Sequence, residues 1–247
     1  MDIRALLFDI NSTLIDIETD ERMEEIYRAI GHFLTYQGIS LHRGELCDLY
    51  FQIMKEQFER STEKYPEFDV VEVWREVLHR EGSGYTRALP PGKLEQLPLL
   101  LAELQRGISR KRLRSFPQAK EVVSQLKQHY PLAAVSDAQS AYAVPEIRAV
   151  GLYEYLDPII VSGDYGYRKP DERLFQHALD KLKVLPEHAI FIGNDRYRDI
   201  FGAQQLKMKT ILFCPIPAVA QLNEAVPDYI IGQFSDLPKA IDVLAAQ

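Results

Sequence analysis

Leu6-Leu7-Phe8-Asp9-Ile10-Asn11-Ser12-Thr13-Leu14 is the stretch on which the fold turns. An apolar run that stops at an aspartate and turns into a Thr-Leu pair reads as a buried strand with a carboxylate at its carboxyl end. Open α/β sheets keep their ligand chemistry at that edge. Asn11 stands two residues beyond Asp9, where a second carboxylate would be expected if acid/base chemistry followed nucleophilic attack.

Downstream, strands and helices alternate. The apolar runs Leu132–Val135, Pro158–Val161, Ala189–Ile192, Thr210–Phe213 and Asp228–Ile231 are separated by helical stretches, and a last helix starts at Asp236. Such alternation predicts right-handed crossovers and a doubly wound, Rossmann-like parallel sheet, which the strand Ile3–Phe8 must join. Residues 17–109 differ. Apolar positions recur there at helical spacing, among them Met23, Ile26, Tyr27 and Ile30, then Val70, Val73, Trp74 and Val77, broken at Gly82-Ser83-Gly84 and Pro90-Pro91-Gly92. This segment reads as an inserted α-helical bundle without strands, with Trp74 in its core. The expected division is therefore a core of residues 1–16 and 110–247 and a helical insertion of residues 17–109.

Composition bounds the partners. The 247 residues carry 29 basic and 36 acidic side chains, a net charge of -7, so no broad basic face is available for nucleic acid. The one dense basic cluster, Arg110-Lys111-Arg112 with Arg114, reads as a solvated hinge flank. Cys47 and Cys214 lack metal or disulfide spacing, and the six histidines are scattered. No apolar stretch reaches the length of a membrane span, and the opening residues lack signal-peptide character, so the expected setting is cytoplasmic. Oligomeric state leaves no mark in the sequence.

Three further strand ends and loops bear polar residues: Ser136-Asp137, Lys169-Pro170, and Gly193-Asn194-Asp195 running on to Asp199. Proline in the first helical turn would place the Lys169 cation at a helix start, a setting suited to a small anionic substrate. In this order the four pieces resemble the haloacid dehalogenase superfamily over nearly the whole chain. The resemblance implies Asp9 as nucleophile, Thr13, Ser136 and Asp137 as substrate contacts, and Lys169 as both catalytic and substrate-binding. It also implies a mobile cap made by the helical insertion, and Mg²⁺ held by Asp9, the Asn11 carbonyl, Asn194 and Asp195, with Asp199 as a substitute carboxylate. The expected activity is hydrolysis of a small phosphorylated metabolite through a covalent Asp9 intermediate. Asn11 cannot move a proton, and losing such help costs about 10²- to 10⁴-fold. Two alternatives stay open: metal-free L-2-haloacid dehalogenation, which needs no proton for its leaving halide, and a catalytically impaired member that binds a ligand or partner.

Overall fold

The computed structural model describes residues 2–215 and 225–247. In chain order, β1 (Ala5–Phe8) and β2 (Ile15–Thr19) lead into α1 (Glu24–Thr35), α2 (Arg43–Arg60), α3 (Val70–Glu81), the short α4 (Gly84–Arg87) and α5 (Pro91–Ser109). The chain returns through β3 (Arg110–Ser115), α6 (Ala119–Leu126), β4 (Leu132–Ser136), α7 (Ser140–Ala149), β5 (Ile159–Val161) and α8 (Glu172–Leu182). It ends in β6 (Ala189–Gly193), the short α9 (Gly202–Gln205), β7 (Lys209–Phe213), β8 (Tyr229–Ile231) and α10 (Leu237–Ala245).

Six strands form one parallel sheet in the order β5-β4-β1-β6-β7-β8. The strand order reverses between β1 and β6, and the crevice at such a switch point is where this architecture binds ligands. Asp9 follows β1 and Asn194 follows β6, so the topology alone carries both to the crevice. All four β1 residues are buried because the sheet is covered on both faces. Leu6 and Phe8 pack with Val123, Ile147 and Ile241, while Ala5 and Leu7 pack with Leu174, Phe175 and Ala203.

The helices between Glu24 and Ser109 have an apolar cluster of their own, built on Tyr27, Tyr50, Trp74 and Leu101. Trp74 is fully buried, and its indole N–H donates to Gln105 Oε1 at 2.9 Å, so the ring fills the bundle without stranding its polar edge.

Residues 17–109 are not free of strands. β2 runs through Thr19 and pairs antiparallel with β3, making a two-stranded ribbon at the root of the helical segment. The reason is charge. Asp16 lies opposite Arg114 and Glu18 opposite Arg112, and Lys111 reaches Asp20, so the basic cluster is matched by the acids of β2.

Candidate functional site

The turn after β1 builds the first part of the site. Ile10 O accepts the N–H groups of Thr13, Leu14 and Ile15, and Ser12 takes a left-handed φ of 62°. This tight reversal turns the Thr13 hydroxyl back onto the aspartate it follows, 3.1 Å from Asp9 Oδ2. The same hydroxyl lies 3.2 Å from Asn194 Oδ1. One proton cannot serve both acceptors at once.

Asp9 Oδ1 is held from the end of β4 and from the loop before α8. Ser136 Oγ donates to it at 3.0 Å and Lys169 Nζ at 2.7 Å. Lys169 Nζ also donates to Asp199 Oδ1 at 2.6 Å and to Val135 O at 3.2 Å, which uses all three ammonium protons. The ammonium is almost fully buried, so its charge is tolerable only because two carboxylates face it. Burial works against that charge, yet Asp199, Asp9 and Asp137 together hold the ammonium well above the ordinary lysine value. Asp199 feels the same burial in the opposite sense, and its carboxyl is pushed up to about 6 despite Lys169 beside it.

Lys169 is not placed by a helix start. Pro170 precedes the helix rather than occupying its first turn, because the Asp171 carboxylate caps α8 by accepting from Arg173 N. What orients the lysine is Asp137, whose Oδ1 accepts the Lys169 backbone N–H at 2.8 Å. Asp137 Oδ2 has no hydrogen-bond partner among the described residues, and Arg198 approaches it only to 3.7 Å. Burial raises the Asp137 carboxyl above its usual range.

Asp195, expected among the metal ligands, reaches the wall of the same cavity with its carboxylate engaged by its own turn. Its carboxylate accepts from Tyr197 N, Arg198 N and Arg198 Nε, capping the turn Arg196–Phe201. Asp199 in turn directs Oδ2 to the N–H groups of Asn194 and Asp195, both at 2.9 Å. Gly193 makes this possible: a Cβ there would lie 2.5 Å from the Asp199 carboxyl carbon.

The oxygens of Asp9 Oδ2 and Asn194 Oδ1 share one donor and are left a proton short. With the carbonyl of Asn11, a residue that lines the same cavity, they would offer an all-oxygen set of the kind hard cations take. Among the described residues no group of three acidic, histidine or cysteine side chains stands ready to hold a metal ion, and the set named here includes one carboxylate, Asp9.

The structure thus gathers Asp9, Thr13, Ser136, Lys169 and Asn194 into one network and brings Asn11, Asp137 and Asp195 to the same cavity of about 120 Å³. Ser12, Arg198 and Asp199 also line it. Arg198 escaped sequence reasoning, since a lone arginine in a charged turn has no signature. A second hollow of about 350 Å³ shares Asn11 and Asp137 with the first and extends between the sheet edge and the helical segment.

Comparisons agree with this geometry. A family model described as haloacid dehalogenase-like hydrolase matches residues 3–207. A glyceraldehyde 3-phosphate phosphatase of Methanothermobacter thermautotrophicus is 27% identical over 92% of this chain and 91% of its own length. One of the same name from Pyrococcus furiosus is 29% identical over 53% of the chain, a match spanning only 55% of that relative. Among solved structures, a 2-haloacid dehalogenase from Pseudomonas syringae superposes with a TM-score of 0.70 at 21% identity, over 98% of this chain and 99% of that one.

Proposed function

The chain belongs to the haloacid dehalogenase-like hydrolases, and we propose that within that family it hydrolyses small phosphate monoesters through Asp9. The observation that carries this reading is the Asp9 carboxylate at the switch point, with Ser136 and Lys169 on one oxygen and Thr13 on the other. The phosphatase names of relatives that align over most of the chain support it.

In this reading an Asp9 oxygen attacks phosphorus, the P–O ester bond breaks, and the leaving oxygen departs with the bonding electrons as an alkoxide or phenoxide that takes its proton from water. Water then cleaves the aspartyl phosphate, restoring the carboxylate and releasing phosphate. Lys169 and Arg198 offset charge developing on the phosphoryl oxygens, and the Ser136 hydroxyl donates to one of them. Asn11 contributes no proton, so departure of a poor leaving group is slow. Mg²⁺, held by Asp9, Asn194 and the Asn11 carbonyl, would neutralise phosphoryl charge. The single carboxylate predicts weak affinity for it. Asp195 is left out, its oxygens being committed to the turn it caps. The helical segment would serve as the cap over the substrate.

The test is phosphate release from phenyl phosphate with Mg²⁺ present. Asp9→Asn should abolish it, and release undiminished by that substitution would overturn the mechanism. The competing reading, metal-free dehalogenation, is favoured by Asn11 alone; it expects chloride release from 2-chloropropionate in the presence of a chelator.

A further inference from the structure

The hollow of about 350 Å³ that adjoins the Asp9 cavity is lined by Tyr50, Phe51, Met54 and Phe68 from the helical segment and by Tyr142 from α7. Its charged lining is lopsided. Glu21, Glu67 and Asp137 face it against one cation, Arg106. That cation is already committed: it pairs with Glu146 at 2.6 Å and with Glu21 at 3.1 Å, and its guanidinium lies over the Tyr142 ring at 4.8 Å. Arg106 therefore has little charge left for a ligand.

Three polar atoms of these lining residues are buried without a hydrogen-bond partner among the described residues: Glu21 Oε2, Tyr142 Oη and Asp137 Oδ2, the last with Arg198 at 3.7 Å. Tyr142 is 7% exposed, so water is not its routine partner. Two carboxylate oxygens call for donors and the phenol can give or take one. An anionic group in this space would meet three acidic side chains, and the one cation among the described lining residues, Arg106, is already paired. A hydroxyl or ammonium would satisfy the stranded oxygens, while the aromatic and methionine side chains cover an apolar face.

We propose that this hollow is the leaving-group pocket, selecting phosphate monoesters whose alcohol is hydroxylated or amine-bearing and carries no second anionic group. The proposal rests on the phosphate-monoester reading above. It sets bisphosphates and phosphorylated carboxylic acids among the poor ligands.

The experiment is calorimetric titration of the Asp9→Asn protein, which binds without turnover, at fixed ionic strength. Its probes are glycerol 3-phosphate and 3-phosphoglycerate, which differ in one hydroxymethyl against one carboxylate. Glycerol 3-phosphate should bind at least about tenfold tighter, since the carboxylate of 3-phosphoglycerate is brought against like charge. Adding Glu21→Gln should shrink that ratio to roughly threefold, because one of the repelling carboxylates is gone. Should Glu21→Gln fail to fold, Tyr142→Phe serves instead. It should weaken glycerol 3-phosphate by roughly two- to tenfold, more than it weakens phenyl phosphate, which has no hydroxyl to lose. Equal binding of the two probes, or a ratio untouched by both variants, overturns the pocket assignment. Phenyl phosphate turnover decides the reaction separately. Asp9-dependent release without discrimination sinks only the pocket, whereas discrimination without release sinks only the reaction.

Discussion

Replacing Asn11 by aspartate measures what the amide costs. Asn11 borders both the Asp9 cavity and the leaving-group hollow, so a carboxyl there would stand where the departing oxygen needs a proton. Asn11→Asp should raise kcat for alkyl phosphates by about 10²-fold or more and much less for aryl phosphates, whose leaving groups need little help. A uniform change across both would argue against a proton-transfer role. Lys169 poses the converse question of stability. Lys169→Met strands two buried carboxylates facing each other, Asp9 and Asp199. Urea unfolding should show a loss of about 3–5 kcal/mol, partly recovered by adding Asp199→Asn.

Among the elements, the turn Arg196–Phe201 has the most influence on the site, because it fixes Asp199 under Lys169. Asp195 caps it through two backbone N–H groups. Asp195→Ala should cost about 1 kcal/mol of stability and lower phosphate release with little change in Mg²⁺ affinity. A collapse of Mg²⁺ affinity would instead return Asp195 to the metal. Which of these two carboxylates turns back to Lys169 and which caps the turn was illegible in the sequence: both follow β6, and only the local turn decides it. The sheet strands were readable because each is an unbroken buried run, β1 and β4 most clearly. The β2–β3 ribbon was not. Its strands are short, largely polar and half exposed, and their pairing depends on opposite charges some 90 residues apart, as Lys111 and Asp20 are. Pro170 misled for a related reason. Proline is common in a first helical turn, but the Asp171 cap fixes the start of α8 at Glu172, two residues later.

Across the whole molecule, the stretch between α2 and α3 binds the helical segment to the sheet. Gln139 donates to Phe68 O and accepts from Val70 N, Arg168 N donates to Tyr65 O, and Ser162 Oγ donates to Glu67 Oε2. Glu67 is the titratable member of this seam. Burial pushes its carboxyl above the ordinary value of 4.5, outweighing the Ser162 hydroxyl and the Phe68 N–H that favour the anion. The folded state therefore takes up its proton more readily than the unfolded chain does. Well below 4.5 the group is protonated in both states and costs nothing; as pH rises from 4.5 toward the raised folded value, the unfolded chain ionises first and Glu67 becomes a growing liability, which levels off above that value. Glu67→Gln keeps an acceptor for one of the two donors and removes the charge. Wild type should thus hold its greatest advantage over Glu67→Gln near pH 4 and lose part of it by pH 7, read as the difference in urea midpoints across that range. An advantage that grew with pH would mean that the carboxylate, not the acid, is the form the seam is built around.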